Sequence, residues 1–393
     1  CRVLADMQEQ GFMIDKAALV SFGEGLTGTI AELERTIYEQ AGCEFNINSP
    51  KQLGEVLFDK LLLPAGKKTK TGWSTNADVL EKLRGKHPIV NMVLNYRMLT
   101  KLKSTYADGL LKLIDPDGRI RTKFQMTVTA TGRLSSTDPN LQNIPIRKEL
   151  GSHIREMFIA SKGNVLVDAD YSQIELRLLA HISGDEHMRA AFLSGEDIHT
   201  VTASQVFNTP IDEVTPLQRS RAKAVNFGIV YGISPWSLAQ DIGVTQGEAK
   251  AYMDAYLNKY DGVREYMKSI VEKAKQDGYV TTIYSRRRDL PELKSSNFNT
   301  RSFGERVALN MPIQGTAADI IKLAMVNVYN RLKAEGLKAR LILQVHDELI
   351  CECPENEAQT VADILREEMS GAARLSVPLT VDAKIGHSWA EAH

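Results

Sequence analysis

The stretch that organises the chain is residues 164–183, NVLVDADYSQIELRLLAHIS. Its apolar run, VLV, is short and continuous, which predicts a strand covered on both faces. The strand is expected to end in Asp168 and Asp170, and a helix is expected to begin near Ser172. We therefore expect a buried strand that delivers carboxylates to its end.

A second polar break of the same kind occurs at residues 344–349, QVHDEL, between the apolar runs LIL and LIC. An apolar run that is broken by a few polar residues and then resumes predicts a β-hairpin, with His346, Asp347 and Glu348 at or near its turn. Charge at the edge of a core is costly unless it is compensated. A metal ion or a basic ligand is the commonest compensation.

The two acidic strand ends favour a functional site only when they are considered together. An aspartate before a helix is often only its N-cap, which by itself would explain either Asp168 or Asp170. A second acidic strand end, at Asp347, favours a functional site instead. Carboxylates from adjacent strands suit two Mg²⁺ ions about 3.5–4 Å apart, which stabilise the attacking and leaving oxygens of phosphoryl transfer.

The segment PLQRSRAKAVNFGIVYG predicts a helix that begins at Thr215. Its residues Arg219, Lys223, Phe227 and Tyr231 recur at every fourth position. Four residues turn about 40° beyond one full turn, so these side chains form one stripe. Cations suit a polyphosphate, and aromatic rings stack on a base. The alternative is a surface helix with snorkelling basic residues and a half-buried aromatic end.

A further amphipathic helix is predicted over RVALNMPIQGTAADIIK, with an interruption near Pro312 and Gly315. Arg306, Asn310 and Gln314 again recur at every fourth position. Amide side chains can contact minor-groove acceptors without discriminating the base pairs. The solvent-exposed face of an ordinary helix gives the same pattern.

Length and composition indicate a globular protein. The 393 residues are 43% hydrophobic, which is enough for a sizeable core and two or three subdomains. No run approaches the ~18 apolar residues of a membrane span, and the first residues, CRVLADMQEQGF, do not form a secretion signal. We expect a cytoplasmic protein with no membrane association. Helices and strands are expected in blocks, which favours the α+β class.

The net charge of −1 hides an uneven distribution. Between Gly66 and Lys103 there are nine Lys or Arg and two acids. The loop KKTKTG and the helix after Pro88, with Arg97, Lys101 and Lys103, form a predicted basic arm. Such an arm suits contact with nucleic-acid phosphates.

Taken together, these motifs resemble those of the family A DNA polymerases, the group of bacterial DNA polymerase I. VDADYSQIELR resembles motif A of the family, RSRAKAVNFGIVYG resembles motif B, and QVHDEL resembles motif C. TATGRLSSTDPNLQNIP and NMPIQGTAADI match two further signature blocks. The resemblance covers the whole chain. Because the chain begins with Cys1, we expect a C-terminal polymerase fragment that lacks a proofreading domain.

The resemblance implies an α+β right-hand polymerase fold, with an antiparallel palm sheet, helical fingers and a helical thumb. The implied boundaries are residues 1–113 for an N-terminal helix and the thumb, 114–184 for the first part of the palm, 185–300 for the fingers, and 301–393 for the second part of the palm.

The same resemblance implies roles for individual residues. Asp170, Asp347 and the backbone carbonyl of Tyr171 would bind two Mg²⁺ ions, with Mn²⁺ as a substitute, and Glu348 would support the site. Lys223 would also donate a proton to pyrophosphate. The residues implied in dNTP binding are Arg219, Lys223, Phe227, Tyr231, Glu175, Gln173 and His199. The residues implied in DNA binding are Arg133, Arg306, Asn310, Gln314, His346, Lys101 and Lys103.

The implied reaction is attack of a primer 3′-OH on the α-phosphate of a dNTP. The expected partners are primer-template DNA and dNTPs, bound by a monomer at the bacterial nucleoid. One alternative is a single-subunit RNA polymerase of the phage type, against which Phe227 and Glu175 argue. The other is a catalytically inactive primer-template binding protein, which the presence of Asp170, Asp347 and Lys223 disfavours.

Overall fold

A computed structural model describes residues 1–64, 68–69, 72–145 and 149–393. Lys67 and Lys70 of the predicted basic arm lie outside these residues. Helices and strands occur in blocks, as the sequence predicted for an α+β protein.

The elements are numbered in chain order. The α-helices are α1 Arg2–Gln10, α2 Lys16–Ala41, α3 Pro50–Gly54, α4 Ala77–Lys82, α5 Pro88–Lys101, α6 Asp108–Leu111, α7 Glu149–Glu156, α8 Ile174–Ser183, α9 Glu186–Ser194, α10 Ile198–Phe207, α11 Pro216–Tyr231, α12 Pro235–Ile242, α13 Gln246–Lys259, α14 Asp261–Asp277, α15 Phe298–Ala334, α16 Ala358–Ser370 and α17 Trp389–Ala392. The strands are β1 Phe12–Met13, β2 Lys68–Thr69, β3 Gly72–Trp73, β4 Arg119–Ile120, β5 Lys123–Gln125, β6 Ser135–Thr137, β7 Asn164–Tyr171, β8 Tyr279–Thr281, β9 Arg287–Asp289, β10 Arg340–Val345, β11 Glu348–Pro354 and β12 Val381–Gly386.

The chain forms two compact units. One comprises residues 1–11, 122–142 and 160–393, and the other comprises residues 12–121 and 143–159. The second unit is mainly helical, and its core packs α2 against α5. Ser49 caps α3 ahead of Pro50, as the sequence predicted.

The first unit is built on a four-stranded antiparallel sheet with the order β10-β11-β7-β12. The central strand β7 is buried along most of its length, because α16 and α17 pack against it. Its register places Asp170 between Glu348 of β11 and Asp382 of β12. The predicted buried strand and the predicted hairpin are both confirmed.

The junction between β7 and α8 excludes the simple capping role for the aspartates. The residue before α8 is Gln173, which has a left-handed backbone with φ 57° and makes no side-chain cap hydrogen bond. The helix starts at Ile174, two residues later than expected, because the left-handed backbone of Gln173 cannot continue a right-handed helix. The backbone N–H of Ser172 donates to the Thr380 carbonyl of the adjoining segment. Asp168 and Asp170 are therefore not N-caps.

Helix α15 corrects the expected interruption, since it continues through Pro312 without a break. A proline in a helix interior costs about 3 kcal/mol because a hydrogen bond is lost. Here the turns around Pro312 are buried against the rest of the first unit. Tertiary packing thus offsets a local helix breaker. Although α15 is long, neither it nor any other described helix has an apolar stretch sufficient to cross a membrane.

Gly315 allows α15 to approach its neighbours closely. A Cβ at this position would lie 2.6 Å from Cγ2 of Thr282 and 3.3 Å from the backbone oxygen of Thr131. We expect Gly315→Ala to lower the free energy of unfolding by about 1–3 kcal/mol, because the added methyl group would overpack the core. Denaturant unfolding measures this change.

Gly25→Ala in α2 is the matched control, because a Cβ there would meet no atom within 4 Å. It should raise the free energy of unfolding by about 0.5–1 kcal/mol through helix propensity alone. Equal stabilisation by both substitutions would contradict the close approach at Gly315.

Candidate active site

A cavity of about 510 Å³ opens at the end of β7 in the first unit. Strand ends, the start of α8 and one face of α11 contribute to its walls. Its lining residues are Arg133, Asp170, Tyr171, Ser172, Gln173, Ile174, Glu175, Phe227, Tyr231, His346, Asp347 and Asp382. The structure thus gathers residues that the sequence placed in three separate motifs.

The turn between β10 and β11 is fixed by side-chain amides. His346 has a left-handed backbone with φ 47°. Gln344 donates to the His346 carbonyl at 2.8 Å, and Gln142 donates to the Gln344 carbonyl at 3.1 Å. The backbone N–H of Tyr171 donates a hydrogen bond to the Asp347 carbonyl at 3.2 Å. These bonds attach Asp347 to the end of β7.

The carboxylates at this point disfavour one another's ionisation. Burial, together with Asp347 and Glu348, raises the pKa of Asp170 to about 8. Burial, together with Glu175 and Glu348, raises the pKa of Asp347 to about 6. Oδ1 of Asp170 and Oε1 of Glu348 are buried and have no hydrogen-bond partner among the described residues. This arrangement favours binding of a proton or a metal cation.

Sequence reasoning missed His393. Its Nδ1 lies 3.4 Å from Oδ2 of Asp168 and 3.3 Å from Oε2 of Glu348. Hydrogen bonds to these carboxylates raise the pKa of His393 to about 10. The imidazolium therefore compensates Asp168 and one oxygen of Glu348. No local motif signals this contact, because the partners are far apart in the chain.

Glu175 is held through both carboxylate oxygens. Arg133 donates to Oε1 at 2.6 Å, and the Tyr231 hydroxyl donates to Oε2 at 2.7 Å. The Glu175 residue is buried. The sequence proposed these three residues separately, and the structure joins them in one network.

The predicted stripe on α11 is confirmed as one helix, which Thr215 starts with a capping box. Arg219 and Lys223 are exposed. The Phe227 and Tyr231 rings are nearly parallel, with centroids 6.4 Å apart. Cations thus occupy the first half of the stripe, and aromatic rings occupy the half beside the cavity.

His199 packs beside this stripe, with its ring centroid 5.7 Å from that of Phe227. Asn226 lies 3.0 Å from its Nδ1, and burial lowers the pKa of His199 to about 4. The imidazole is therefore neutral at pH 7, and its Nε2 has no hydrogen-bond partner among the described residues.

The remaining predicted residues lie in two places. Arg306 and Asn310 of α15 adjoin the end of α11, where Asn310 donates to the Tyr231 carbonyl at 3.4 Å. Gln314 is half-buried one turn further along α15. Gln173, at the start of α8, lines the cavity.

Lys101 and Lys103 of the predicted basic arm belong to the second unit. Arg97 is half-buried and donates to the Thr75 carbonyl, while Lys103 pairs with Asp108 at 2.7 Å. Lys101 is exposed. Intramolecular partners occupy two of the cations that were expected to meet phosphates, because polar groups at a packed helix face need compensation.

Comparisons with known proteins agree on one family. The family model described as DNA polymerase family A matches residues 16–391. The DNA polymerase I of Bacillus subtilis (strain 168) is 55% identical over 392 residues, which cover 99% of this chain and 44% of that protein. The DNA polymerase I of Geobacillus stearothermophilus is 54% identical, over 99% of this chain and 45% of that protein. The chain thus spans less than half the length of these relatives.

A solved structure described as the "POL domain of Pol1 from M. smegmatis complex with DNA primer-template and dNTP" is 47% identical to this chain. The two chains superpose with a TM-score of 0.95, and the alignment covers 100% of this chain and 69% of the solved chain.

The raised pKa of Asp170 predicts a pH-dependent gain from Asp170→Asn in the metal-free protein. The folded pKa lies above the ordinary 3.8, at about 8. Stability that is fully present below pH 3.8 is therefore lost as the pH rises through about 8. Asparagine does not titrate, so the variant does not lose this stability as the pH rises. The variant should gain about 1–3 kcal/mol more over the parent at about pH 8.5 than at about pH 5.5.

Thermal unfolding in EDTA at the two pH values tests this expectation. Asp212→Asn, at an exposed carboxylate, is the control and should change stability equally at both. A pH-independent effect of Asp170→Asn would contradict repulsion among the buried carboxylates.

Proposed function

The chain belongs to DNA polymerase family A, and we propose on that basis that it is a template-directed DNA polymerase that extends a primer 3′-OH with dNTPs. The observation that carries the proposal is the juxtaposition of Asp170 and Asp347 at adjacent strand ends, beside a helix that presents two cations and two aromatic rings. Acidic and basic groups at one cavity suit a substrate that carries both metal ions and phosphates.

Family A DNA polymerases are metal-dependent, generally on Mg²⁺, and the residues present fit such ions. Asp170 and Glu348 each have a buried oxygen without a hydrogen-bond partner among the described residues. Burial and the neighbouring carboxylates raise the pKa of Asp170 to about 8, so a cation near it would favour its ionised form. We propose that Asp170, Asp347 and the Tyr171 carbonyl hold two Mg²⁺ ions or, in their place, Mn²⁺. When bound, such ions would lower the pKa of the primer 3′-OH and stabilise charge on the phosphates.

The other residues would bind and orient the substrates. Arg219 and Lys223 would bind the triphosphate, and Lys223 would donate a proton to the departing pyrophosphate. Phe227 would pack on the sugar and base, and Tyr231 would lie near the new base pair. Catalysis would then depend on positioning and charge compensation, since phosphoryl transfer needs little covalent chemistry from the protein.

Glu175, Gln173 and His199 would complete the nucleotide pocket, with Glu175 excluding a ribose 2′-OH. The two hydrogen bonds from Arg133 and Tyr231 keep its carboxylate in one place. A fixed, buried carboxylate is a suitable steric barrier, because moving it would leave its charge without partners.

Primer-template DNA would contact residues around the same cavity and on the second unit. We assign to this role the residues Arg133, Arg306, Asn310, Gln314, His346, Lys101 and Lys103. We propose a palm at residues 114–184 and 301–393, fingers at 185–300, and an N-terminal helix and thumb at 1–113. The overall likeness to a solved polymerase domain supports a polymerase fold. We propose a monomer that acts at the nucleoid in the cytoplasm.

Two alternatives differ in measurable ways. A phage-type RNA polymerase would incorporate ribonucleotides in preference to deoxynucleotides, so the ratio of the two incorporation rates separates it from a DNA polymerase. A catalytically inactive primer-template binding protein would bind DNA and extend nothing. A parent that binds primer-template DNA tightly but extends no primer would favour this second alternative.

Extension of a labelled primer on a DNA template with four dNTPs and Mg²⁺ is the direct test. The parent should extend the primer, and Asp170→Ala and Asp347→Ala should each lose at least about a thousandfold in rate, because each removes a proposed metal ligand. Asp212→Ala, at an exposed residue that does not line the cavity, is the control for expression and folding. Extension by Asp170→Ala at the parental rate would exclude the proposed centre.

Phe227→Tyr tests the proposed contact with the nucleotide sugar. A hydroxyl on this ring would supply a polar contact that a dideoxynucleotide, which lacks its own 3′-OH, cannot supply. We expect the dideoxy-to-deoxy incorporation ratio to rise at least about threefold, the value of roughly one hydrogen bond. Tyr252→Phe, which changes one hydroxyl on α13, is the comparison variant. An unchanged ratio in Phe227→Tyr would remove Phe227 from the sugar contact.

A further inference from the structure

The short loop between α9 and α10 carries a carboxylate that contacts the first cation of the α11 stripe. Arg219 donates from Nε to Oδ2 of Asp197 at 2.6 Å. The two residues are 22 positions apart, and neither sequence spacing nor the motifs indicate this pair.

Asp197 is held firmly by its own helix. As the N-cap of α10, it accepts hydrogen bonds from the backbone N–H of His199 and of Thr200. The Thr200 hydroxyl also donates to Oδ2 at 2.6 Å. Burial opposes ionisation, but hydrogen bonds from Arg219 and Thr200 lower the pKa of Asp197 to about 2. A fixed carboxylate anion therefore faces the Arg219 guanidinium.

The two cations of the stripe differ in whether a carboxylate contacts them. Lys223 is exposed one turn further along α11, and the described residues offer it no ion-pair partner. Arg219 already has an anion in contact. A phosphate that binds Arg219 must therefore share the guanidinium with the Asp197 carboxylate or displace it, while a phosphate that binds Lys223 displaces only water.

We propose that Asp197 is a positioning residue that occupies Arg219 in the nucleotide-free protein, in place of a phosphate, and is exchanged for the triphosphate of the incoming nucleotide. The inference rests on the proposed function, which assigns the triphosphate to Arg219. The inference adds that Asp197 competes with phosphate for Arg219 and so keeps the affinity of the site for polyphosphate below its maximum.

The exchange predicts which kinetic constant depends on Asp197. The ion pair is lost once when nucleotide binds, and its loss is the same in the ground state and the transition state. Such an interaction changes KM and leaves kcat unaltered. A structural role in holding α10 would instead alter stability and kcat.

Asp197→Asn separates the charge from the cap. Asparagine caps a helix about as well as aspartate and still accepts a hydrogen bond from Thr200, but it lacks the charge that attracts Arg219. Because both side chains are partly exposed, the pair is of the weak class, worth about 0.2–1 kcal/mol. We expect KM for dTTP on a defined primer-template to fall about twofold to fivefold, with kcat within about twofold of the parent.

Two controls isolate the pair. Asp15→Asn makes the same change at the N-cap of α2, where the carboxylate accepts from Ala18 and has no arginine partner, and it should leave KM unchanged. In an Arg219→Ala background, Asp197→Asn should have no further effect on KM, because the group it competes for is absent. An equal effect of Asp197→Asn in both backgrounds would overturn the inference.

A second readout does not depend on turnover. Calorimetric titration with sodium tripolyphosphate should show about twofold to fivefold tighter binding to Asp197→Asn than to the parent. If the parent binds tripolyphosphate but does not extend primers, the proposed function fails, and tighter binding by the variant still supports the competitor. An unchanged or raised KM together with unchanged tripolyphosphate binding would show that Asp197 is only a helix cap.

Discussion

The register of β7 between β11 and β12 is the constraint on which the rest of the site depends. Because antiparallel pairing sets Asp170 opposite Glu348 and Asp382, a shift of one residue would turn Asp170 to the other face of the sheet. The hydrogen bond from Tyr171 to the Asp347 carbonyl then fixes the neighbouring turn. Apolar burial along β7 specifies this register and so stabilises a cluster of charges that would otherwise separate.

The molecule compensates this charge unevenly. His393 and Arg133 contact carboxylates around the cluster, yet Asp170 retains a buried oxygen without a partner in the described part of the chain. A fully compensated cluster would be more stable but would have no affinity for metal ions. The uncompensated carboxylates thus reduce stability locally, as is common at functional sites.

The cation side of the site shows the complementary arrangement. Asp197 compensates Arg219, whereas Lys223 is exposed to solvent. Around the cavity, Glu175 is fixed by Arg133 and Tyr231, so α8, α11 and the loop before β6 are joined by charge-assisted bonds. Under the proposed function, an incoming nucleotide would exchange the contact between Asp197 and Arg219 for a contact with phosphate, which would limit its affinity.

The sequence by itself determined the elements and the family. Apolar runs, turn residues and side chains at every fourth position predicted β7, the β10–β11 hairpin and α11. These signals act over a few neighbouring residues and can therefore be recognised in the sequence. Tertiary structure alone decided that α15 continues through Pro312, that Arg97 is used internally, and that His393, Asp168 and Glu348 meet. It also decided the contacts of Glu175 and Asp197. Each of these depends on side chains from distant segments, whose burial and charge compensation outweigh local preference and leave no periodic trace in the sequence.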